Sequence, residues 1–147
     1  MSLEENKALI RRLYEVVNTQ DLSPTGDFIA VDFVDHTRGL HGLEALKQFG
    51  EMIFKAFPDF HETLEDIIAE GDKVWTRSRI TGTHKGEFQG LSPTGKKFTE
   101  ASVDIFRIAD GKLSEGWNVT DELDFLKQLG IIEYTEKGKK LFPENAK

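Results

Sequence analysis

Residues 99–121 read TEASVDIFRIADGKLSEGWNVTD, two β-compatible runs flanking Asp110-Gly111. That dipeptide suits a two-residue hairpin turn, because both of its positions accept positive φ. An unbroken ladder from the turn predicts Ala109 opposite Lys112, Asp104 opposite Trp117, Ser102 opposite Val119 and Glu100 opposite Asp121. Side chains alternate along a strand, so Glu100, Ser102, Asp104 and Phe106 are expected to share a face with Glu115, Trp117, Val119 and Asp121. Charge is seldom buried in a packed core without a partner, so a face mixing carboxylates with large aromatics suits the wall of a small-molecule pocket.

Outward from the hairpin, the chain divides into strands and helices. Downstream, Leu123, Phe125, Leu126 and Leu129 fit a short helix stopped by Gly130, and a polar tail follows from about residue 133. Upstream, residues 60–69 and 73–83 read as strands around the turn Glu70-Gly71-Asp72, and residues 84–97 as a glycine-rich loop. Leu43, Leu46, Phe49, Ile53 and Phe57 recur at helical spacing between Gly42 and Pro58. Ser2-Leu3-Glu4-Glu5 has capping-box spacing ahead of Leu9, Ile10, Leu13, Tyr14 and Val17, a first amphipathic helix ending near Asn18. Residues 19–26 carry turn chemistry, 28–33 form a short apolar segment without a clear assignment, and 35–39 read as a loop. Helices followed by mostly antiparallel strands define an α+β class, with the early helices on one face of a curved sheet enclosing a cone-shaped cavity.

A length of 147 residues fits a single domain, 1–147, with a sizeable core. The net charge of −7, spread along the chain, argues against nucleic acid and anionic membrane surfaces as partners. Lys137, Lys139 and Lys140 are the nearest approach to a basic cluster, and Glu136 and Gly138 interrupt them. The absence of cysteine excludes disulfides and thiolate chemistry. No apolar run approaches the ~20 residues of a membrane span. The first residues lack the regions of a signal peptide, so a cytoplasmic location is expected.

Asp121 is the first catalytic candidate, ending a strand on the expected acid–aromatic face where the chain turns into a helix. Aspartate is also a favoured N-cap, which needs no function. Burial beside Trp117 and near Glu100 would raise its pKa toward a useful range for proton transfer. Asp104 is the second carboxylate, with a cross-sheet ion pair to Arg77, Arg79 or Arg107 as its structural alternative. Arg77, near Trp75, is a candidate to orient a substrate oxygen, and His36 a candidate proton-transfer partner. Trp75, Trp117, Phe106 and Tyr14 are the candidate aromatic walls. His36, His41, His61 and His84 show no metal-ligand spacing, and there is no phosphate loop or serine nucleophile elbow.

Several motifs carry a resemblance: Thr81-Gly82-Thr83-His84-Lys85-Gly86-Glu87-Phe88, Gly90-Leu91-Ser92-Pro93-Thr94-Gly95-Lys96, Asp104-Ile105-Phe106-Arg107, Asp110-Gly111-Lys112-Leu113 and Trp117-Asn118-Val119-Thr120-Asp121. With Phe33-Val34-Asp35-His36 and Gln128-Leu129-Gly130, this order resembles the SnoaL-like polyketide cyclases. These belong to the nuclear transport factor two-like superfamily, with ketosteroid isomerases and limonene epoxide hydrolases. The resemblance implies a cone-shaped, strongly bent sheet with helices on its concave face, often a homodimer through the outer sheet face. It also implies a cofactor- and metal-independent intramolecular aldol ring closure, with Asp121 at the position of the general acid/base. The family pairs that aspartate with a pocket histidine, where this chain offers Asp104 on the preceding strand and His36 in an earlier loop. Arg77-Ser78-Arg79 stands in place of the Arg-x-Asp pair of the epoxide hydrolases and speaks against that chemistry.

The expected function is therefore a cofactor-independent lyase or isomerase acting on a small hydrophobic carbonyl compound. The alternatives are a non-catalytic module binding a small hydrophobic ligand in the same cavity, and a purely structural dimerisation domain.

Overall fold

The computed structural model describes residues 1–142. Helix α1 (Leu3–Thr19) begins with the capping box read from the sequence: the Ser2 hydroxyl accepts from the Glu5 amide at 3.1 Å, and the Ser2 amide donates to the Glu5 carboxylate at 2.8 Å. Asn6, Ile10 and Tyr14, each four residues from the next, form its buried stripe. A 3-10 turn (Ser23–Asp27) leads into the unassigned apolar segment, which is strand β1 (Ile29–Asp35). Strand β2 (Leu40–His41) and helix α2 (Leu43–Ala56) follow, and then β3 (His61–Glu70), β4 (Lys73–Thr83), β5 (Lys97–Ala109) and β6 (Lys112–Thr120). Helix α3 (Glu122–Gln128) ends before Gly130, which has a positive φ. A further helix, α4 (Glu136–Leu141), occupies part of the expected tail, with Tyr134 and Phe142 rings 5.0 Å apart across it.

The strands form one sheet in the order β2-β1-β6-β5-β4-β3. Every pairing is antiparallel except β1 beside β6. This is the α+β architecture expected from helices preceding a run of strands. Ile10 and Tyr14 of α1 and Leu43 of α2 pack on Phe33, Val74, Phe106, Ile108 and Leu113 of the sheet. A second cluster at the other end gathers Phe57, Phe88, Phe98 and Leu129, with Phe125 of α3 packed against it. Gly82 belongs to that end because a Cβ there would lie 2.9 Å from the Phe98 ring.

The central hairpin forms with the turn expected of it, φ being 52° at Asp110 and 76° at Gly111. Its register differs. Ala109 pairs with Lys112 and Ile108 with Leu113, but Arg107 pairs with Glu115, so Ser114 is an extra residue in β6. Arg107 reaches both residues of this bulge, donating to the Glu115 carboxylate and, at 3.1 Å, to the Ser114 hydroxyl. One inserted residue reverses the parity of the strand beyond it. Asp104 therefore lies opposite Asn118, Ser102 opposite Thr120 and Ile105 opposite Trp117. The expected pairings of Asp104 with Trp117, Ser102 with Val119 and Glu100 with Asp121 are corrected accordingly.

The concave face thus carries Glu100, Ser102, Asp104 and Phe106 beside Gly116 and Asn118. Gly116 leaves room there for Phe33, whose ring lies 3.0 Å from where a Cβ would stand. Trp117 and Val119 project from the outer face, where Ile68, Trp75, Ile105 and Trp117 continue in register across four strands. Ile68 and Trp75 in that row are 63% and 47% exposed.

Candidate active site

Between the concave face and helices α1, α2 and α3 lies a cavity of about 1020 Å³. Its wall is mostly aliphatic and aromatic, and Asp104, Glu62, Glu100, Tyr14, Asn118 and Arg38 bring polar atoms to it. Few polar groups converging in an apolar concavity is the usual form of a small-molecule site.

Asp104 is held from both sides. Its Oδ1 accepts from Asn118 Nδ2 at 2.6 Å and its Oδ2 from the Tyr14 hydroxyl at 2.8 Å. Asn118 also donates to Ser102 Oγ at 2.9 Å, and the Tyr14 hydroxyl lies 2.7 Å from Thr76 Oγ1. Desolvation raises the Asp104 pKa, against the two hydrogen bonds and the Arg38 charge, which favour the carboxylate. Desolvation and the nearby Asp104 charge raise the Tyr14 pKa, so this hydroxyl stays a neutral donor.

Glu62 stands on β3 at the same wall, its Oε1 accepting from the Ser78 hydroxyl at 2.7 Å. The Asn18 side chain fixes its backbone, donating to the Glu62 carbonyl and accepting from the Glu62 amide, both at 2.8 Å. Burial, and then the Asp104 charge, push the Glu62 carboxyl up to about 7. Glu100, in register with Ile80 and hence with Glu62 across β4, is also pushed up to about 7, by burial and then by Glu122. Arg38 opposes all three shifts. Its guanidinium is anchored on the buried Asp35 at 2.7 Å and lies 5.0 Å from the Phe49 ring centre.

Of the residues singled out in the sequence, the structure brings Asp104, Tyr14, Phe106 and Trp117 to the border of the cavity. Asp121 caps α3 instead, accepting from the Asp124 amide at 3.2 Å. It borders a smaller depression on the outer face with Glu65, Arg77 and Arg79. His36 stacks on the Trp117 ring, centres 4.8 Å apart, and its Nε2 lies 2.9 Å from Glu115. Arg77 pairs with Glu65 at 3.2 Å on the outer face, where Trp75 is also exposed. The expectation that Asp121, His36, Trp75 and Arg77 gather around one pocket with Asp104 is corrected, the parity of β4 turning Trp75 and Arg77 outward; Trp117 does border the cavity, but the Ser114 bulge turns its ring toward His36.

Glu62, Asn118 and Arg38 were not among the sequence candidates. A carboxylate two residues before Leu64 in an alternating strand was the available signal for Glu62. Among the described residues no cluster of three or more His, Cys, Asp or Glu is placed to hold a metal, and no helix is long and apolar enough to cross a membrane.

A cone-shaped α+β fold around an acid-lined apolar cavity defines a class, and comparison with known proteins gives it a family. The SnoaL-like polyketide cyclase model matches residues 7–129, and the chain belongs to that family. It is 30% identical over 137 residues to the aklanonic acid methyl ester cyclase DnrD of Streptomyces peucetius, covering 88% of this chain and 94% of that one. It is 27% identical over 118 residues to the nogalonic acid methyl ester cyclase of Streptomyces nogalater, covering 77% and 88%. Among solved structures, AclR of Streptomyces galilaeus, a candidate hydroxylase, superimposes with a TM-score of 0.81 at 33% identity, covering 92% of this chain and 87% of that one.

Proposed function

We propose that the chain is a cofactor-independent cyclase that closes a ring by intramolecular aldol addition in a hydrophobic carbonyl compound, with Asp104 as its general base. The observation that carries this reading is the carboxylate of Asp104 on the cavity wall, fixed by Asn118 and Tyr14. Asp104 takes the proton from the carbon between or beside carbonyl groups, and the resulting enolate carbon bonds to a second carbonyl carbon. The electron pair of that carbonyl moves to its oxygen, which takes up a proton, so the product is an isomer of the substrate. No electrons leave or enter. Arg38, anchored by Asp35, supplies positive charge to the oxyanion, a task the outward Arg77 and His36 are badly placed to perform. The methyl esters named for the relatives supply the test compounds, and an uncharged ester suits a wall that already carries several carboxyl groups. The reading extends to a second copy of the chain covering the outer row of Ile68, Trp75, Ile105 and Trp117.

The test is ring closure of aklanonic acid methyl ester, followed by absorbance. Asp104→Asn is expected to lower turnover by about a hundredfold or more while remaining folded. Asp121→Asn is expected to keep near-wild-type turnover and to lose up to about 1 kcal/mol of stability as a weakened cap. Full activity in Asp104→Asn, with loss in Asp121→Asn, would move the base back to Asp121. Ligand binding without closure in any variant or wild type would favour the non-catalytic module.

A further inference from the structure

We infer that Glu62 is a second catalytic residue, the proton donor that works as a pair with Asp104 across the cavity wall. The inference rests on the cyclase reading and divides between two side chains what one carboxyl would otherwise do alone.

The hydrogen bonds decide which member carries the proton. Asp104 accepts two donors, Asn118 and Tyr14, one on each oxygen. Donors of this kind favour the charged form. Glu62 accepts one, from Ser78, on Oε1. No hydrogen bond to Oε2 is formed among the described residues, so that oxygen is where a proton toward the cavity resides. Two carboxyls on one apolar wall resist holding two negative charges, and a single proton is shared unequally between them. The charged and titratable groups facing Glu62 are Asp104 and Glu100 of β5 and Arg38 of the turn after β1; the Tyr14 hydroxyl of α1 faces the Glu62–Asp104 pair. Arg38 is the cation among them, and its salt bridge to Asp35 offsets part of its charge.

The site is also built for precision at Glu62. The Asn18 amide grips both backbone groups of Glu62, and Ser78 sets the carboxyl rotation. An ordinary surface glutamate has no need of such fixing. In the reaction, charged Asp104 removes the carbon proton while protonated Glu62 delivers its proton to the carbonyl oxygen that becomes the hydroxyl. Each turnover leaves Asp104 protonated and Glu62 charged. Transfer of one proton from Asp104 to Glu62, through water in the emptied cavity, restores the starting state.

The experiment uses the intact chain in two measurements. The first follows the Glu62 side-chain carboxyl carbon by NMR titration in wild type and Asp104→Asn. The pair predicts that its midpoint falls by about one pH unit or more once the neighbouring charge is gone; an unmoved midpoint overturns the pairing. The second follows solvent deuterium entering the α position of 1-tetralone, a one-carbonyl probe, between pH 5 and 9. Glu62→Gln preserves size and still accepts from Ser78, so the fold is expected to persist. Its exchange is expected to fall by about a hundredfold and to lose the alkaline limb seen in wild type. Exchange absent in wild type, or retained in Asp104→Asn, overturns the cyclase reading itself. Exchange lost in Asp104→Asn but equal in wild type and Glu62→Gln, with the same pH profile, overturns the role of Glu62 alone.

Discussion

Glu62 and Glu100 each lose hydration on folding, and in each case the neutral form gains relative to the charged one. Their ordinary values of 4.5 rise to about 7. Between those values the folded chain binds more protons than the unfolded one, so the stability they contribute is full below about 4.5 and is lost as pH rises through about 7. Asp59 and Glu115 act oppositely: Thr83 and Arg107, respectively, hold their carboxyls below the usual range, and that contribution is lost on acidification. The thermal midpoint is therefore expected to peak near about pH 5 and decline toward pH 8. Glu62→Gln should flatten the decline, by on the order of 1–2 kcal/mol at pH 8 relative to pH 5. Scanning calorimetry of both proteins checks this, and parallel curves would contradict it. Asp104 was legible at this scale because it shares a strand parity with Phe106 in the hairpin. Glu62 was harder to read because β3 has an irregularity between Leu64 and Asp66, so only Leu64, and not the rest of the strand, shares its alternation.

Most of the elements followed from local signals: capping at Ser2, spacing in α1 and α2, and Asp110-Gly111 between β5 and β6; β1, β2 and α4 did not. What escaped is a property of two strands together. The Ser114 bulge is stabilised by Arg107 of the partner strand, which lies opposite Glu115, and no local pattern in β6 announces it. Yet in the count from the turn this residue is what sets Asn118, and not Trp117, opposite Asp104. Deleting Ser114 is expected to give an unbroken ladder in which Glu115 still faces Arg107 and Trp117 still faces Ile105, at a cost of about 1–2 kcal/mol for the lost bulge and its hydrogen bond. Ser114→Ala keeps the residue count and is expected to cost about 1 kcal/mol or less. Chemical denaturation of the two variants separates them; equal loss would mean that the hydroxyl, and not the extra residue, carries the bulge's contribution to stability.

On the scale of the whole molecule, the fold separates two apolar regions with different fates. One is enclosed by helices and edged with carboxyls. The other lies open on the outer sheet, with Ile68, Trp75, Ile105 and Trp117 in one row flanked by Arg77, Arg79 and Glu65. Exposed rows of this size are uncommon on monomers. A second copy is the occupant proposed here, and light scattering is expected to give twice the chain mass. Trp75→Glu places a charge in the middle of the row and is expected to yield the single chain mass at the same concentration. A monomeric wild type would leave the row without that explanation. The α+β class and the cavity were legible because they depend on element order and on which faces are apolar. The division of the expected site into an inner and an outer half was not, because it depends on parity accumulated over a strand.

The Asn18 side chain also governs what other chains can do to this sheet. Strand β3 ends the strand order and has β4 on one side only. A bare sheet edge is a template on which a foreign strand can add and begin aggregation. At Glu62 the carboxamide of Asn18 offers one acceptor and one donor to the outward backbone groups, as a peptide unit of a seventh strand would. The residue that steadies the cavity wall therefore also acts as a one-unit plug, closing the template at the point where an intruding chain would take hold.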